Sequence, residues 1–312
     1  MQSNDLWKQS DAICVIGAPI GIASSTMGAS LGPDAIRLAG LHRHLNQLGY
    51  TVIDEGNQSA LEETWPPISF QTGSLRYPDE VATFLKILKD RVYAALKKKL
   101  IPLVLGGDHS IAVASLAAVG KYYRELGITP GLIWFDAHAD LNVPETTPSG
   151  NIHGMPLAVA LGRGDSRLTS FFEGGFWDPS RSVLLGVRSV DEQEAQIVKD
   201  LGIRVFTMKD IDVKGMVTCV REALDIASPN KEPIHVSFDV DGIDAREVPG
   251  TGTPVHGGVS YREAHLFLEL LAEKEILGSV DMVEVNPLLD HGNKTAEVAV
   301  SMLCSAFGKT IF

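Results

Sequence analysis

The chain has 312 residues, of which 45% are hydrophobic and 21% are charged, a balance typical of globular proteins. Its formal net charge of -12 argues against nucleic acid and anionic membrane surfaces as partners and is compatible with a cationic ligand. Three cysteines without Cys-x-x-Cys spacing argue against a disulfide framework and a thiolate zinc site, and they predict a cytoplasmic protein.

The beginning of the chain is polar and lacks the basic segment of a secretory signal. The first apolar run, AICVIGAPIGIA at 12–23, is too short to cross a bilayer and is typical of a buried strand with its loop. We therefore expect neither a signal peptide nor a membrane-spanning segment.

Short apolar runs alternate with amphipathic stretches along the chain. Runs that are apolar on both faces predict strands at 12–18, 51–56, 101–107, 131–137, 182–188, 203–208, 233–240 and 279–285. Amphipathic stretches predict helices at 32–49, 79–99, 110–126, 189–202, 208–227, 260–274 and 295–309. Pro33 near the start of the first helix and Gly49 at its end are typical helix boundaries.

This alternation predicts an α/β fold, an open parallel sheet with helices on both faces. No linker, repeat or low-complexity segment divides the sequence, so we predict one domain over residues 1–312. In such folds ligands bind beyond the carboxyl ends of the strands. Polar residues that end an apolar run are therefore the first candidates for a functional site.

Three predicted strands end in residues that bind metals. They are Asp108 and His109 after the third strand, Asp136, His138 and Asp140 after the fourth, and Asp239 and Asp241 after the seventh. The three residues in FDAHADLN occupy alternate positions, so an extended segment would place them on one face. Taken singly, each motif has an ordinary alternative, a turn or a helix cap. Together the three strand ends predict a metal site.

Charge indicates which ions would bind. The four aspartates at 136, 140, 239 and 241 would repel one another and raise each other's pKa unless cations neutralised them. With two imidazoles, the ligand set is hard and rich in oxygen, which favours Mn²⁺ over Fe²⁺, Co²⁺ or Zn²⁺. A pair of such ions activates a water, so the predicted reaction is a hydrolysis.

Six motifs stand in the order found in the ureohydrolase family: GGDHS, FDAHADLN, SGNIHGMP, SFDVDGID, GTGTPVHGG and DMVEVNP. The chain resembles this family, and the arginases in particular, over nearly its whole length. The resemblance implies a three-layer α/β/α fold with a mostly parallel eight-stranded sheet and a centre of two Mn²⁺ ions. It also implies hydrolysis of a guanidino substrate, L-arginine, to L-ornithine and urea.

The same resemblance implies roles for individual residues. One manganese ion would be held by His109, Asp136, Asp140 and Asp239, and the other by Asp136, His138, Asp239 and Asp241. His153 would shuttle a proton to the leaving amine, Asp241 would hold the proton of the attacking hydroxide, and Glu284 would receive the guanidinium. For His153 and Glu284 taken alone, the alternatives are a structural histidine and a helix cap or surface acid.

Substrate recognition follows from the resemblance as well. The α-carboxylate of arginine would be held by Asn142, Ser149 and Asn151, the α-amino group by Asp191 and Glu194, and the guanidinium would lie near Thr253. A loop rich in Thr, Pro, Ser and Gly is by default only a connection. Acids in the first turn of a helix are likewise ordinary.

The sequence also contains a segment that matches a subunit interface of the family, and it departs from the family pattern at three places. The segment Tyr261, Arg262 and Glu263 matches a subunit interface, so the resemblance implies a homotrimer or homohexamer, with a solvated helix start as the alternative. Ala245 replaces the usual proline, Ser189 stands where some arginases carry an acid, and the loop 21–33 lacks a frequent arginine. These departures concern the substrate pocket more than the metal chemistry.

Three other functions compete with the arginase prediction. A sister ureohydrolase would act on agmatine, guanidinobutyrate or another guanidino compound, without an amino-acid clamp. A deacetylase-type amidohydrolase would use one zinc ion and lack the full D-x-H-x-D arrangement. A non-catalytic metal-dependent protein would need a broken ligand, and every ligand of the pattern is present.

Overall fold

The strands form one continuous sheet. The computed structural model describes residues 9–59 and 74–310. Its strands are β1 (Ala12–Ala18), β2 (Thr51–Asn57), β3 (Ile101–Gly106), β4 (Gly131–Phe135), β5 (Ser182–Val187), β6 (Arg204–Thr207), β7 (Ile234–Asp239) and β8 (Leu277–Val283). They pair in the order β2-β1-β3-β8-β7-β4-β5-β6, and every neighbouring pair is parallel. The predicted α/β fold with an eight-stranded parallel sheet is confirmed.

Helices connect successive strands. They are α1 (Gly32–Leu38), α2 (Leu41–Gln47), α3 (Pro78–Lys97), α4 (Ala112–Glu125), α5 (Pro156–Ala160), α6 (Ser166–Thr169), α7 (Glu192–Leu201), α8 (Met208–Lys214), α9 (Met216–Ala227), α10 (Tyr261–Ala272) and α11 (Lys294–Ala306). Single 3₁₀ turns cover Ala29–Leu31, His109–Ile111, Ile152–Gly154, Pro179–Arg181 and Val240–Gly242. Within the described ranges, none of these helices combines the length and apolarity needed to cross a membrane.

The alternation of side chains across each strand builds two cores. On β1, Ile13 and Val15 belong to the core between one face of the sheet and α1, α2, α9, α10 and α11. Cys14 and Ile16 point to the other face and belong to the core beneath α3, α4, α5 and α7. Each fully buried large aliphatic side chain contributes about 1.5–3 kcal/mol to folding. The result is the expected three-layer arrangement with the sheet in the middle.

Two of the predicted helices are wrong in extent because a glycine divides each of them. The helix predicted at 32–49 ends at Leu38 and resumes at Leu41, since Gly40 has a φ of 91°. The helix predicted at 208–227 is divided by Gly215, which has a φ of 81°. Both glycines take a conformation that interrupts the helical hydrogen-bond ladder and that other residues rarely adopt.

The edge of the sheet also differs from the prediction. The run at 51–56 was expected to be apolar on both faces, but β2 is the edge strand and most of its residues are exposed. Its polar residues are tolerated because an edge strand is covered by fewer neighbours. The central strands β3, β4, β7 and β8 are buried at every position, as parallel strands between helices should be.

Candidate metal centre

The middle of the sheet brings the predicted metal ligands together. β3, β8, β7 and β4 are adjacent, and parallel strands end at the same edge. His109 lies in the turn that follows β3, Asp136 follows β4, and Asp239 is the last residue of β7. Glu284 follows β8 between them. Residues that are far apart in the sequence therefore meet at the carboxyl edge of the sheet.

His109, Asp136 and Asp239 form the first group of potential metal ligands, and all three are buried. Nδ1 of His109 lies 3.2 Å from Oδ2 of Asp136, 3.1 Å from Oδ2 of Asp239 and 3.1 Å from Oδ2 of Asp140. No described residue forms a hydrogen bond of acceptable geometry with this nitrogen. A buried imidazole nitrogen directed between carboxylate oxygens has the surroundings of a metal ligand.

Asp136, His138 and Asp241 form the second group. Nδ1 of His138 lies 3.4 Å from Oδ1 of Asp136 and 3.3 Å from Oδ2 of Asp241. Asp136 belongs to both groups, with Oδ2 toward His109 and Oδ1 toward His138. A carboxylate with one oxygen near each of two histidines can act as a ligand in both groups.

The backbone around Asp140 differs from the predicted extended segment. β4 ends at Phe135, the chain bends over 136–138, and Asp140 has a φ of 52°. The carboxylates at 136 and 140 therefore converge on His109 through a turn and not through strand alternation. A non-glycine residue in the left-handed region costs about 1 kcal/mol or more, and such residues cluster at functional sites.

The first group is held in place by a tryptophan and a serine. Nε1 of Trp134 donates a hydrogen bond of 3.0 Å to Oδ2 of Asp136. The indole ring also stacks on the imidazole of His109, with centroids 4.2 Å apart. Nε2 of His109 lies 2.8 Å from Oγ of Ser237. Neither support was predicted from the sequence, although Ser237 stands two residues before Asp239 in a buried strand.

Asp241 is fixed from three directions. Its backbone nitrogen donates to Oδ1 of Asp239 at 2.8 Å, and its Oδ1 accepts from the nitrogen of Ala137 at 3.3 Å. Oγ1 of Thr253 donates to its Oδ2 at 2.9 Å. Thr253 was predicted near the scissile group, and in the structure it contacts the carboxylate of Asp241, a candidate metal ligand.

The site carries an excess of negative charge. Burial and the charge of Asp136 raise the pKa of Asp140 to about 6. Burial and the charge of Asp241 raise the pKa of Asp239 well above its ordinary value. For His138, burial favours the neutral form, but the charge of Asp241 and the contacts with both carboxylates raise the pKa to about 12. The raised carboxylate pKa values reflect mutual repulsion and burial, which nearby cations would relieve.

The donor set fits hard divalent cations. It offers carboxylate oxygens and two imidazoles, the mixture that suits Mn²⁺ and related ions better than thiol-rich ligands would. Nδ1 of His109 has no hydrogen-bond partner of acceptable geometry among the described residues, and Asp136 belongs to both ligand groups. The structure therefore supports a metal cofactor at the predicted residues.

His153 and Glu284 form a pair next to these groups. Nδ1 of His153 lies 2.9 Å from Oε1 of Glu284, and the same oxygen accepts the backbone N–H of His109 at 2.9 Å. Burial disfavours a charged imidazole, but the charge of Glu284 and its hydrogen bond raise the pKa of His153 to about 9. The contact with Glu284 thus favours the protonated form of His153. Glu284 has a φ of 64°, a second left-handed residue at the site.

A cavity of about 200 Å³ opens beside the two ligand groups. Its wall is formed by His109, His138, Asp140, Asn142, His153, Gly154, Ser189, Asp191, Glu194, Asp239 and Thr253. The wall does not include the remaining predicted site residues, which are Asp136, Asp241, Glu284, Ser149 and Asn151. The acidic lining suits a small cationic molecule.

Asp191 and Glu194 combine a structural role with a place on the cavity wall. Asp191 caps α7, since its Oδ1 accepts from the nitrogen of Glu194 at 2.8 Å, and its Oδ2 accepts from Nδ2 of Asn142 at 2.9 Å. Oε1 of Glu194 accepts from the nitrogen of Leu141 at 2.8 Å, and burial raises the pKa of Glu194 to about 7. The helix-start alternative is therefore correct for Asp191, and it does not exclude contact with a ligand.

Ser149 and Asn151 are not part of the wall and form hydrogen bonds within the neighbouring loops. Oγ of Ser149 accepts from the nitrogen of Asn151 at 3.2 Å, and Nδ2 of Asn151 donates to Oγ of Ser25 at 2.8 Å. Nε of Arg76 donates to the carbonyl of Ser149 at 3.0 Å. These contacts join the loop before His153 to the loop after β1.

A larger cavity of about 770 Å³ lies at the opposite edge of the sheet, near the amino ends of the strands. Arg181, Lys231 and Glu232 are on its wall, so charges of both signs line it. None of the metal-ligand groups found in the described chain faces this cavity. Volume alone therefore does not identify the functional site.

Comparisons with known proteins agree with this site. The family model described as "Arginase family" matches residues 11–308. The arginase of Staphylococcus aureus (strain COL) is 44% identical over 301 residues, which cover 96% of this chain and 98% of that protein.

Two solved structures are also similar. The arginase from Bacillus caldovelox is 41% identical with a TM-score of 0.91, covering 98% of this chain and 100% of that one. The Entamoeba histolytica arginase, solved in complex with L-ornithine, is 33% identical with a TM-score of 0.87, covering 96% of this chain and 100% of that one. The matched family region includes both ligand groups and the whole cavity wall. The chain belongs to the arginase family.

Proposed function

We propose that this protein is an arginase, a hydrolase that cleaves the guanidinium group of L-arginine to give L-ornithine and urea. The observation that carries the proposal is the pair of ligand groups that share Asp136 beside an acidic cavity. The relatives named arginase, one of them solved with L-ornithine, support the same substrate.

We propose Mn²⁺ as the cofactor, with two ions per chain. His109, Asp136, Asp140 and Asp239 would hold one ion, and Asp136, His138, Asp239 and Asp241 the other. Two such ions supply Lewis-acid chemistry, since they lower the pKa of water and neutralise developing negative charge. The hard ligand set and the shared carboxylate support this assignment.

The protein's own side chains would handle the protons. Asp241 accepts a hydrogen bond from Thr253 and would hold the proton of the attacking water through its carboxylate. The contact with Glu284 favours the protonated form of His153 and raises its pKa to about 9, so His153 would deliver that proton to the leaving amine. Oε1 of Glu284 already contacts His153, so Oε2 is the oxygen that we propose for the guanidinium.

The amino-acid end of the substrate would lie against the outer wall. Asp191 and Glu194 would bind the α-amino group, and Asn142 would bind the α-carboxylate. Ser149 and Asn151 would assist at the carboxylate through the loop that they hold against Ser25. This clamp favours L-arginine over agmatine, which lacks the α-carboxylate, and over guanidinobutyrate, which lacks the α-amino group.

The test is urea release from L-arginine by protein loaded with Mn²⁺, with agmatine and guanidinobutyrate compared at equal enzyme concentration. We expect a kcat/KM for L-arginine that exceeds the value for either alternative. Absence of urea with fully loaded metal would contradict the hydrolase assignment. A higher kcat/KM for agmatine than for L-arginine would show that the protein is an agmatine-cleaving ureohydrolase.

We further propose that the chain forms one domain, works in the cytoplasm and assembles as a homotrimer or homohexamer. The cytoplasm is supported by three free, buried cysteines. At the proposed interface, Ser260 and Glu263 form a capping box, and Arg262 forms two hydrogen bonds of 2.9 Å with Glu269. Tyr261 contacts Ser301 at 3.0 Å. Sedimentation velocity measures the subunit number, and a monomer would contradict the assembly.

A further inference from the structure

Arg188 is the residue that follows β5, and its guanidinium binds only backbone carbonyls among its described hydrogen-bond partners. Nη2 donates to the carbonyls of Asp241 at 2.6 Å, Val255 at 2.8 Å and Ile243 at 3.2 Å. Nη1 donates to the carbonyls of Gly242 at 3.0 Å and Gly186 at 3.2 Å. The planar fork of a guanidinium is suited to reach several acceptors at once.

The carbonyl of Gly186 lies in β5 itself, and the other four belong to two segments that meet at the candidate metal centre. One segment is the turn Val240–Gly242 with the following residue Ile243, and it contains the candidate ligand Asp241. The other is the loop that carries Thr253, two residues before Val255. Oγ1 of Thr253 donates to Oδ2 of Asp241 at 2.9 Å. Arg188 therefore joins the backbones of both partners in this contact.

A glycine next to the guanidinium of Arg188 provides the space that this side chain occupies. A Cβ atom at Gly258 would lie 2.5 Å from Nη2 of Arg188, so the glycine is needed for the guanidinium to fit. The backbone nitrogens of Arg188 and Ser189 both donate to the carbonyl of Ala137 at 2.9 Å. Arg188 is thus tied to the segment after β4 as well, which carries the ligands Asp136 and His138.

We propose that Arg188 is a positioning residue for the reaction, acting through Asp241 and Thr253 on the ligand group that contains His138. The catalytic role of Arg188 rests on the proposed function. The effect of Arg188 on metal binding does not depend on which substrate the protein cleaves. Partners that orient a metal ligand typically contribute 10–100-fold to metal affinity or activity. Lysine would not replace Arg188, because a single ammonium group cannot reproduce the fork.

The experiment is titration of the metal-free full chain with Mn²⁺ by calorimetry, for wild type, Arg188→Lys and Arg188→Gln. We expect one of the two binding steps to weaken about 10–100-fold in both variants, while the other step changes little. The matched control is Arg181→Gln at the opposite end of β5. Arg181 donates to the carbonyl of Ala227 at 3.1 Å and pairs with Glu232 at 3.1 Å, away from the metal centre. Both steps should stay unchanged in the control.

A double-mutant cycle with Thr253→Val separates positioning from general stability. Thr253→Val should weaken the same Mn²⁺ binding step. The loss of binding free energy in the double variant with Arg188→Gln should be smaller than the sum of the losses in the two single variants. Wild-type affinity for both ions in folded Arg188→Gln would overturn the proposal. Equal weakening of both steps, in proportion to a lower thermal midpoint, would assign Arg188 a purely structural role and overturn it too. The titration needs no substrate, so its result tests the role of Arg188 even if the arginase assignment fails.

Discussion

The indole nitrogen of Trp134 donates a hydrogen bond of 3.0 Å to the Oδ2 atom of Asp136, the carboxylate common to both ligand groups. Trp134→Phe removes this donor and keeps an aromatic ring beside His109. We expect Mn²⁺ affinity to fall about 10–100-fold, as measured by calorimetry on the metal-free chain. Trp177→Phe is the matched control, since its Nε1 donates to the carbonyl of Leu116 at 3.0 Å. An equal loss of affinity in the control would contradict the prediction.

Replacing Glu284 by glutamine should lower the pKa of His153. Glu284→Gln removes the charge that opposes the effect of burial, so the pKa of His153 should fall from about 9 toward or below its ordinary value of 6.5. Histidine NMR titration of the metal-free chain measures the shift. If His153 acts as an acid, the high-pH limb of the rate profile moves to lower pH in the variant. An unchanged His153 titration would show that Glu284 does not control it.

Protons should compete with metal ions at the centre. Burial opposes the charged form of His138, but the charge of Asp241 raises its pKa to about 12, so the imidazole must lose a proton before it binds a metal. Mn²⁺ affinity should therefore rise with pH and binding should release protons. Calorimetry in two buffers of different ionisation enthalpy detects the release. His138→Ala should release fewer protons, and no release in the wild type would contradict the expectation.

The contact between Arg37 and Asp54 should stabilise the protein in a pH-dependent way. Arg37 donates two hydrogen bonds of 2.8 and 2.9 Å to the carboxylate of Asp54. Burial raises the pKa of Asp54, but the bonds from Arg37 outweigh it and hold the pKa below 3.8. The stabilisation is therefore complete above pH 3.8 and is lost as the pH falls through the folded-state pKa.

Urea unfolding of Asp54→Asn tests this linkage. The variant should have a lower unfolding midpoint than wild type near pH 7, and the difference should shrink in acid. The control is Asp79→Asn, because the side chain of Asp79 is 81% exposed in its pair with Arg167 and such pairs contribute little. A difference that stayed constant down to acid pH would rule out an ionic origin.

Asp191 offers a way to separate helix capping from substrate recognition. Asparagine caps a helix about as well as aspartate, so Asp191→Asn keeps the bond to the nitrogen of Glu194 and removes the charge. We expect KM for L-arginine to rise about tenfold, about 1.4 kcal/mol, with little change in thermal midpoint. Asp178→Asn, at another capping position, should leave KM unchanged. An unchanged KM in Asp191→Asn would show that Asp191 only caps α7.

The apolar pattern predicts the centre of the sheet better than its edges. β3, β4, β7 and β8 are covered on both faces, and that burial requires continuous apolar runs that are visible in the sequence. β2 is exposed at the edge, so its composition carries less information. The divided helices were not predicted because a glycine inside an amphipathic stretch is compatible with either an intact or a broken helix.

Most of the candidate ligands were predictable because they lie at the ends of buried strands or within three residues of them. His109, Asp136 and Asp239 need only the rule that parallel strands end at one edge. The left-handed turn at Asp140 was not predictable, since nothing local in DLN requires it. Nor were the contacts of Arg188, because its acceptors at 241–243 and 255 come from segments distant in sequence.

The position of β8 has a consequence for how the protein is made. β8 is the last strand of the chain, yet it lies in the middle of the sheet, between β3 and β7. Until it is inserted, β2-β1-β3 and β7-β4-β5-β6 share no backbone ladder, and both present an open edge to the ribosome and to other nascent chains. His109 stands on one side of that gap and Asp239 on the other. Residue 283 must therefore be synthesised before the two halves of the sheet can join and bring His109 and Asp239 together.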